Sequence, residues 1–174
     1  RYDIADAVTS LGKLMRYSMK WESGNVSLER ELDYIQNYIA LMNLRFDYMV
    51  SLDIQIQPEL LGQQLPKISL QPIVENAVVH GAAVLAADTT ILVHSEIDLP
   101  NGRYMIHITD EGKGMDEESL NRVRRQISGE EPSHATSGNG IGLHNVNERI
   151  VRSFGPSFGL QVSSIPGRGT TVTV

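Results

Sequence analysis

Leu70-Gln71-Pro72-Ile73-Val74-Glu75-Asn76-Ala77-Val78-Val79-His80-Gly81 is the segment on which the fold turns. It lies in a helical stretch that Pro66 opens and His80-Gly81 closes. On a helix Asn76 falls one turn after Pro72 and one turn before His80, so an amide and an imidazole share a face. An Asn amide oxygen is a hard ligand suited to Mg²⁺, which keeps several waters and bridges to phosphates. Taken alone, Glu75-Asn76 is explained more simply as an exposed polar face.

Two further segments hold polar and glycine residues that a plain core does not need. Thr109-Asp110-Glu111-Gly112-Lys113-Gly114-Met115 follows a strand, which puts Asp110 at the sheet edge. A carboxylate there can accept from an exocyclic amine, and the two glycines let the backbone approach a ring; an Asp/Gly turn is the equal alternative. Gly138-Asn139-Gly140-Ile141-Gly142-Leu143-His144-Asn145-Val146 runs from a polar loop straight into a helix. Its amides and helix N-terminus make a phosphate seat. A dinucleotide-binding unit is excluded because loop, not strand, precedes the glycines, and no Gly-Lys-Ser or Gly-Lys-Thr supports a Walker A loop.

Outward from these segments, Ile4, Val8, Leu11 and Met15 form one stripe of a first helix of about 17 residues, open to pairing with another chain. Ser27 caps a second helix, whose apolar face (Leu28, Leu32, Ile35, Ile39, Met42, Phe46) continues to about Phe46. Val50 to Gln57 alternates as a strand. Thr89–Ile97 and Arg103–Thr109 form a hairpin through Pro100-Asn101-Gly102. Asp116 caps a helix to about Ile127, Ser128 to Asn139 is a long loop, and Ile141 to Phe154 is a helix. Phe158–Ser164 and Thr170–Val174 are a closing strand pair. Helices and mixed strands without regular βαβ repeats predict an α+β, two-layer α/β sandwich, with one helical layer on one sheet.

The 174 residues suit one domain with a small appendage. A net charge of -6, from 21 acidic and 15 basic residues, excludes a sequence-independent grip on nucleic acid. Zero cysteines exclude disulfides, zinc–thiolate sites and thiol catalysis, and no apolar run nears the roughly 20 residues of a membrane span. The opening in mid-pattern and the close on Thr170-Thr171-Val172-Thr173-Val174 read as cuts in a longer chain.

Together and in this order, the three segments resemble the N, G1 and G2 boxes of the GHKL (Bergerat) ATP-binding fold of histidine kinases, DNA gyrase, Hsp90 and MutL. Leu14-Met15-Arg16-Tyr17-Ser18, Val26-Ser27-Leu28-Glu29-Arg30-Glu31-Leu32, Leu44-Arg45-Phe46 and Pro66-Lys67-Ile68-Ser69-Leu70-Gln71-Pro72 resemble the LytS/YehU-like branch of sensor histidine kinases. The likeness covers nearly the whole chain. It implies that residues 1–24 are the second helix of a dimerisation and phosphoacceptor region and residues 25–174 the ATP-binding catalytic domain.

By the same resemblance, Asn76 holds the Mg²⁺ that bridges ATP phosphates, and Glu75 orients or activates at the reaction centre. Asp110 reads the adenine amine, while Gly112, Gly114 and Met115 pass close to the base. Gly138, Gly140 and Gly142, with Ile141 and Leu143 between and after them, contact phosphates and hinge a lid made of residues 116–137. His80 lies near phosphates or base, or is a structural histidine. Thr170, in Gly167-Arg168-Gly169-Thr170, lies by the adenine edge. The branch's phosphoacceptor Pro-His-Phe motif is absent. Pro72 stands where gyrase-like and Hsp90-like ATPases carry a general-base carboxylate, which favours phosphoryl transfer to protein over hydrolysis. The resemblance further implies a homodimeric parent, a response regulator as partner, and a cytoplasmic domain tied to a membrane only through segments outside this sequence. The alternatives are a regulatory ATP-binding module and an anti-sigma-type serine kinase, the latter disfavoured by residues 1–20.

Overall fold

The computed structural model describes residues 24–131 and 139–174, together with Thr9, Leu11, Gly12 and Met15. These four are helical where the first helix is expected, and the rest of that helix lies outside the described residues.

A short strand β1 (Asn25–Ser27) leads into helix α1 (Leu28–Met42). Leu28, Leu32, Ile35 and Ile39 form its buried stripe, as the four-three spacing predicts. The helix stops at Met42 rather than near Phe46. The side chain of Asn43 turns instead to the first edge-strand residue, accepting from the Val50 N–H and donating to its carbonyl, both at 2.8 Å. This amide does the work of a neighbouring strand for one residue, and the chain leaves the helix to reach β2 (Val50–Gln55). Phe46 still contributes to the core, stacked on Tyr48 with ring centroids 4.7 Å apart.

The second departure from expectation is at Pro66, which closes a strand, β3 (Gln64–Pro66), paired antiparallel with β1. Between it and helix α2 (Gln71–Asn76) lies a turn whose amides are taken by a side chain distant in sequence. Glu31, 1% exposed, accepts from the N–H groups of Ile68 (2.7 Å), Ser69 (2.8 Å) and Leu70 (3.0 Å). Arg149 holds the other side of the turn, donating to the carbonyls of Lys67 (2.5 Å) and Ile68 (2.6 Å). Burial lowers the Arg149 pKa and the Glu31 charge opposes that shift. So fastened, Ile68 keeps a φ of 60°, which a β-branched residue avoids.

Past Asn76 the helix widens into a π segment (Ala77–Ala82) and ends in an α-turn (Ala83–Leu85). Then follow β4 (Thr89–Asp98), β5 (Arg103–Asp110), α3 (Glu117–Ser128), α4 (Asn139–Phe154), β6 (Gln161–Ile165) and β7 (Gly169–Thr173). Helix α4 starts at Asn139, two residues before the expected Ile141. The main sheet has the order β2-β4-β5-β7-β6, with β2 parallel to β4 and the other pairs antiparallel. Alternation is what sorts the faces: Ile91, Val93, Ile106, Ile108, Val162 and Val172 enter the core with residues of α1, α2, the π segment, α3 and α4. The result is the expected mixed sheet with a helical layer on one face.

The opposite face carries a histidine pair. His94 and His107 are register partners on β4 and β5, and their rings stack at 4.6 Å. His107 Nδ1 meets the Thr173 hydroxyl at 2.9 Å, and its Nε2 stands 3.2 Å from the Glu96 carboxylate, outside hydrogen-bonding geometry. Burial first, and the neighbouring His107 second, lower the His94 pKa, with Glu96 acting against them. The folded state therefore binds this proton less readily than the unfolded chain, whose imidazole has the ordinary value of 6.5. The stabilisation from neutral His94 is complete above about pH 6.5 and is lost as pH falls below it. Denaturation at stepped pH should show stability dropping on acidification through this range, and His94→Gln should flatten the slope; an unchanged slope would rule out His94 as its source.

Candidate functional site

Three segments distant in sequence meet at one end of the sheet because their backbones can touch. Asp110 is the last residue of β5, in register with Thr170 of β7. Its carboxylate is half-buried and accepts the Gly112 N–H at 2.8 Å. Desolvation raises its pKa, while hydrogen bonds from the backbone of Gly112 and Thr170, and then the charge of His80, pull it down. A Cβ on Gly81 would lie 2.9 Å from the Asp110 Cβ, and one on Gly112 would lie 2.5 Å from the Gly81 Cα. Gly169, at φ 98°, leaves no room for a side chain above the Asp110 carbonyl.

These contacts give the Asp-x-Gly-x-Gly pattern a packing reason of its own. Gly112 is required by the approach of Gly81 and Asp110, and Gly114 by the Ile165 carbonyl of the β6–β7 turn, so both serve chain-to-chain packing. Lys113 between them is fixed through its carbonyl, which accepts the Gly167 N–H at 2.6 Å. The Met115 N–H donates to the Ser164 hydroxyl at 2.9 Å, and that hydroxyl also meets Thr170 Oγ1 at 2.9 Å.

The pocket so framed encloses about 190 Å³. Asn76 and His80 reach it from α2 and the π segment, Asp110 and Thr170 from the sheet, and Gly114 and Met115 from the loop after β5. Val123, Gln126 and Ile127 enter from α3, and Leu143 from α4. The walls are mostly apolar with a few polar groups, the usual make-up of a small-molecule site. Asn76 Nδ2 donates to the Pro72 carbonyl at 2.8 Å, so its carbonyl oxygen is the atom left for a ligand. Among the described residues no three His, Asp or Glu side chains converge as a metal site. The Asn76 carbonyl oxygen is a hard donor of the kind that suits Mg²⁺.

Other candidates fall elsewhere. Glu75 is not in the pocket wall: its carboxylate accepts from Gln71 Nε2 at 3.0 Å. With burial as the larger cause, its charge helps push the Tyr38 hydroxyl up to about 12 and raises Tyr34. Gly140 and Ile141 lie in the first turn of α4. Gly142 faces Pro72, whose Cβ a Cβ there would approach to 3.4 Å. Gly138 and residues 132–137 of the expected lid lie outside the described residues, and residues 117–128 of that stretch are helix α3.

Sequence reasoning passed over Gly81, Gly169, Lys113 and Gln126. The His80-Gly81 pair is a helix-end signal, and nothing local reports that Gly81 will lie on Asp110. Lys113 stands in the second segment without a role of its own, and no motif singles out Gln126.

Residues 64–174 match the family of histidine kinase-, DNA gyrase B-, and HSP90-like ATPases, and residues 1–50 match the histidine kinase family. The sensor protein kinase HptS of Staphylococcus aureus strains USA300 and NCTC 8325 is 30% identical over 167 residues, covering 95% of this chain. The chain spans 30% of that protein's length. The histidine kinase domain of the Erythrobacter litoralis EL346 blue-light activated histidine kinase shares the fold, with a TM-score of 0.56 at 16% identity over 99% of this chain and 74% of that one. A pocket framed by Asn76, Asp110 and Thr170, and a family match across nearly two thirds of the sequence, establish that the chain belongs to the histidine kinase-, DNA gyrase B- and HSP90-like ATPases, in a histidine kinase setting.

Proposed function

We propose that the chain is the catalytic part of a two-component sensor kinase, which binds Mg·ATP in the Asn76–Asp110 pocket and gives the γ-phosphoryl group to a histidine outside this sequence. The observation that carries this reading is the convergence of Asn76, Asp110 and Thr170 on one largely apolar pocket whose wall also takes Leu143 of α4. Asp110 would accept from the adenine amine, with its half-buried carboxylate anchored by the Gly112 N–H. Bound Mg²⁺ would neutralise phosphate charge, with Asn76 Oδ1 as its protein ligand. The residues of this chain do the positioning on which phosphoryl transfer chiefly depends. Glu75, outside the pocket wall, would orient or activate at the reaction centre.

In this reading residues 1–24 are the second helix of a dimerisation region, residues 25–174 are the ATP-binding domain, and the parent is a homodimer passing its phosphoryl group to a response regulator. Among the described residues no helix is long and apolar enough to cross a membrane. A cytoplasmic position, below a membrane anchor elsewhere in the parent, is part of the proposal.

Asp110→Ala should weaken ATP binding by about 1.5–3 kcal/mol and reduce the preference for adenine over guanine. Titration calorimetry with ATP and GTP decides this, and unchanged affinity and preference in a folded variant would remove the adenine assignment. Asn76→Ala should abolish the Mg²⁺ dependence of ATP binding while leaving adenosine binding intact. A retained Mg²⁺ response would show that another group holds the ion. Incubated with γ-labelled ATP, the chain should bind nucleotide without labelling itself, whereas the parent kinase should become labelled on histidine. Label on His80 or His144 would mean the acceptor is misplaced, and an unlabelled parent that still binds ATP would favour a regulatory module.

A further inference from the structure

We propose that His144 is a positioning residue that sets the α3 wall of the pocket by holding the carbonyl of Ile127; the proposal rests on the nucleotide-binding reading above. Val123, Gln126 and Ile127 belong to that wall, so nucleotide contacts depend on where the C-terminal half of α3 sits. The last carbonyls of a helix have no partner within it. At Ile127 two side chains of α4 meet the carbonyl: His144 through Nδ1 at 3.1 Å and Asn147 through Nδ2 at 3.1 Å.

The two donors differ in what else they do. Asn147 is also committed to the β6 side, where its Oδ1 accepts the Leu160 N–H at 2.8 Å and a Cβ on Gly159 would come within 2.8 Å of it. It ties α3 to the scaffold. His144 sits two residues after Gly142 and next to Leu143, which itself lines the pocket. Its ring also fills the space left by Gly129, the left-handed cap that ends α3 at φ 80°, where a Cβ would lie 3.0 Å from His144 Cε1. His144 is therefore the link between the glycine-bearing start of α4 and the α3 wall. Because the Ile127 oxygen can only accept, the ring must carry its hydrogen on Nδ1.

The test compares His144→Phe, which keeps a ring without a donor, His144→Ala, and His144→Asn, whose Nδ2 can stand where Nδ1 does. With a nonhydrolysable ATP analogue in calorimetry, Phe and Ala should weaken binding about 5-fold or more, the effect of one lost hydrogen bond, and Asn should stay within about 2-fold of the parent residue. Nitrogen shifts of the His144 ring should report the Nδ1–H form. Unchanged binding in folded His144→Phe, or His144→Asn as weak as His144→Phe, overturns the proposal. A wild-type chain that binds no nucleotide brings down the underlying reading instead, and the proposal with it.

Discussion

Glu31 and Arg149 hold one turn between them, and the site is built on that turn. Three amides of Ile68, Ser69 and Leu70 converge on the Glu31 carboxylate, and two carbonyls of Lys67 and Ile68 converge on the Arg149 guanidinium. Backbone groups left unpaired away from water cost about as much as a lost hydrogen bond each, so these five bonds favour this arrangement of the turn once α1 and α4 are in place. The turn aims α2, and α2 carries Asn76. Glu31 comes from α1 and Arg149 from α4, so two helices that contribute little to the pocket's polar groups decide where its amide stands.

At the other side of the pocket the governing constraint is distance between backbones. Gly81, Gly112 and Gly169 surround Asp110 closely enough that none of the three tolerates a Cβ without movement. The π segment that follows Asn76 brings Gly81 to this contact, in keeping with the frequent placement of such widened turns at functional sites. The carboxylate is thereby both desolvated and anchored: burial raises its pKa, and two amides oppose that shift while fixing its direction. A group held this way discriminates by geometry, since it cannot follow a misplaced partner.

Each local rule that failed did so where a distant side chain intervened. The stripe through Phe46 is apolar as predicted, but the Asn43 amide pairs with Val50 and ends α1 early. Pro66 is a sound helix-start signal, yet the β1–β3 pairing claims it and Glu31 postpones the helix to Gln71.

What the sequence determined by itself is the set of elements and the chemistry they can offer. Alternation and four-three spacing are properties of each segment alone, and Asn76, Asp110, the glycines and Thr170 stand out because a core has no use for them there. The tertiary structure alone decided the parallel docking of β2 on β4, the role of Glu31 as a remote cap, the packing purpose of Gly112 and Gly114, and the grip of His144 on α3. All four depend on groups 15 or more residues apart coming within bonding or contact distance. No local preference encodes such meetings, because their energy arises only after the helices and the sheet have closed on one core.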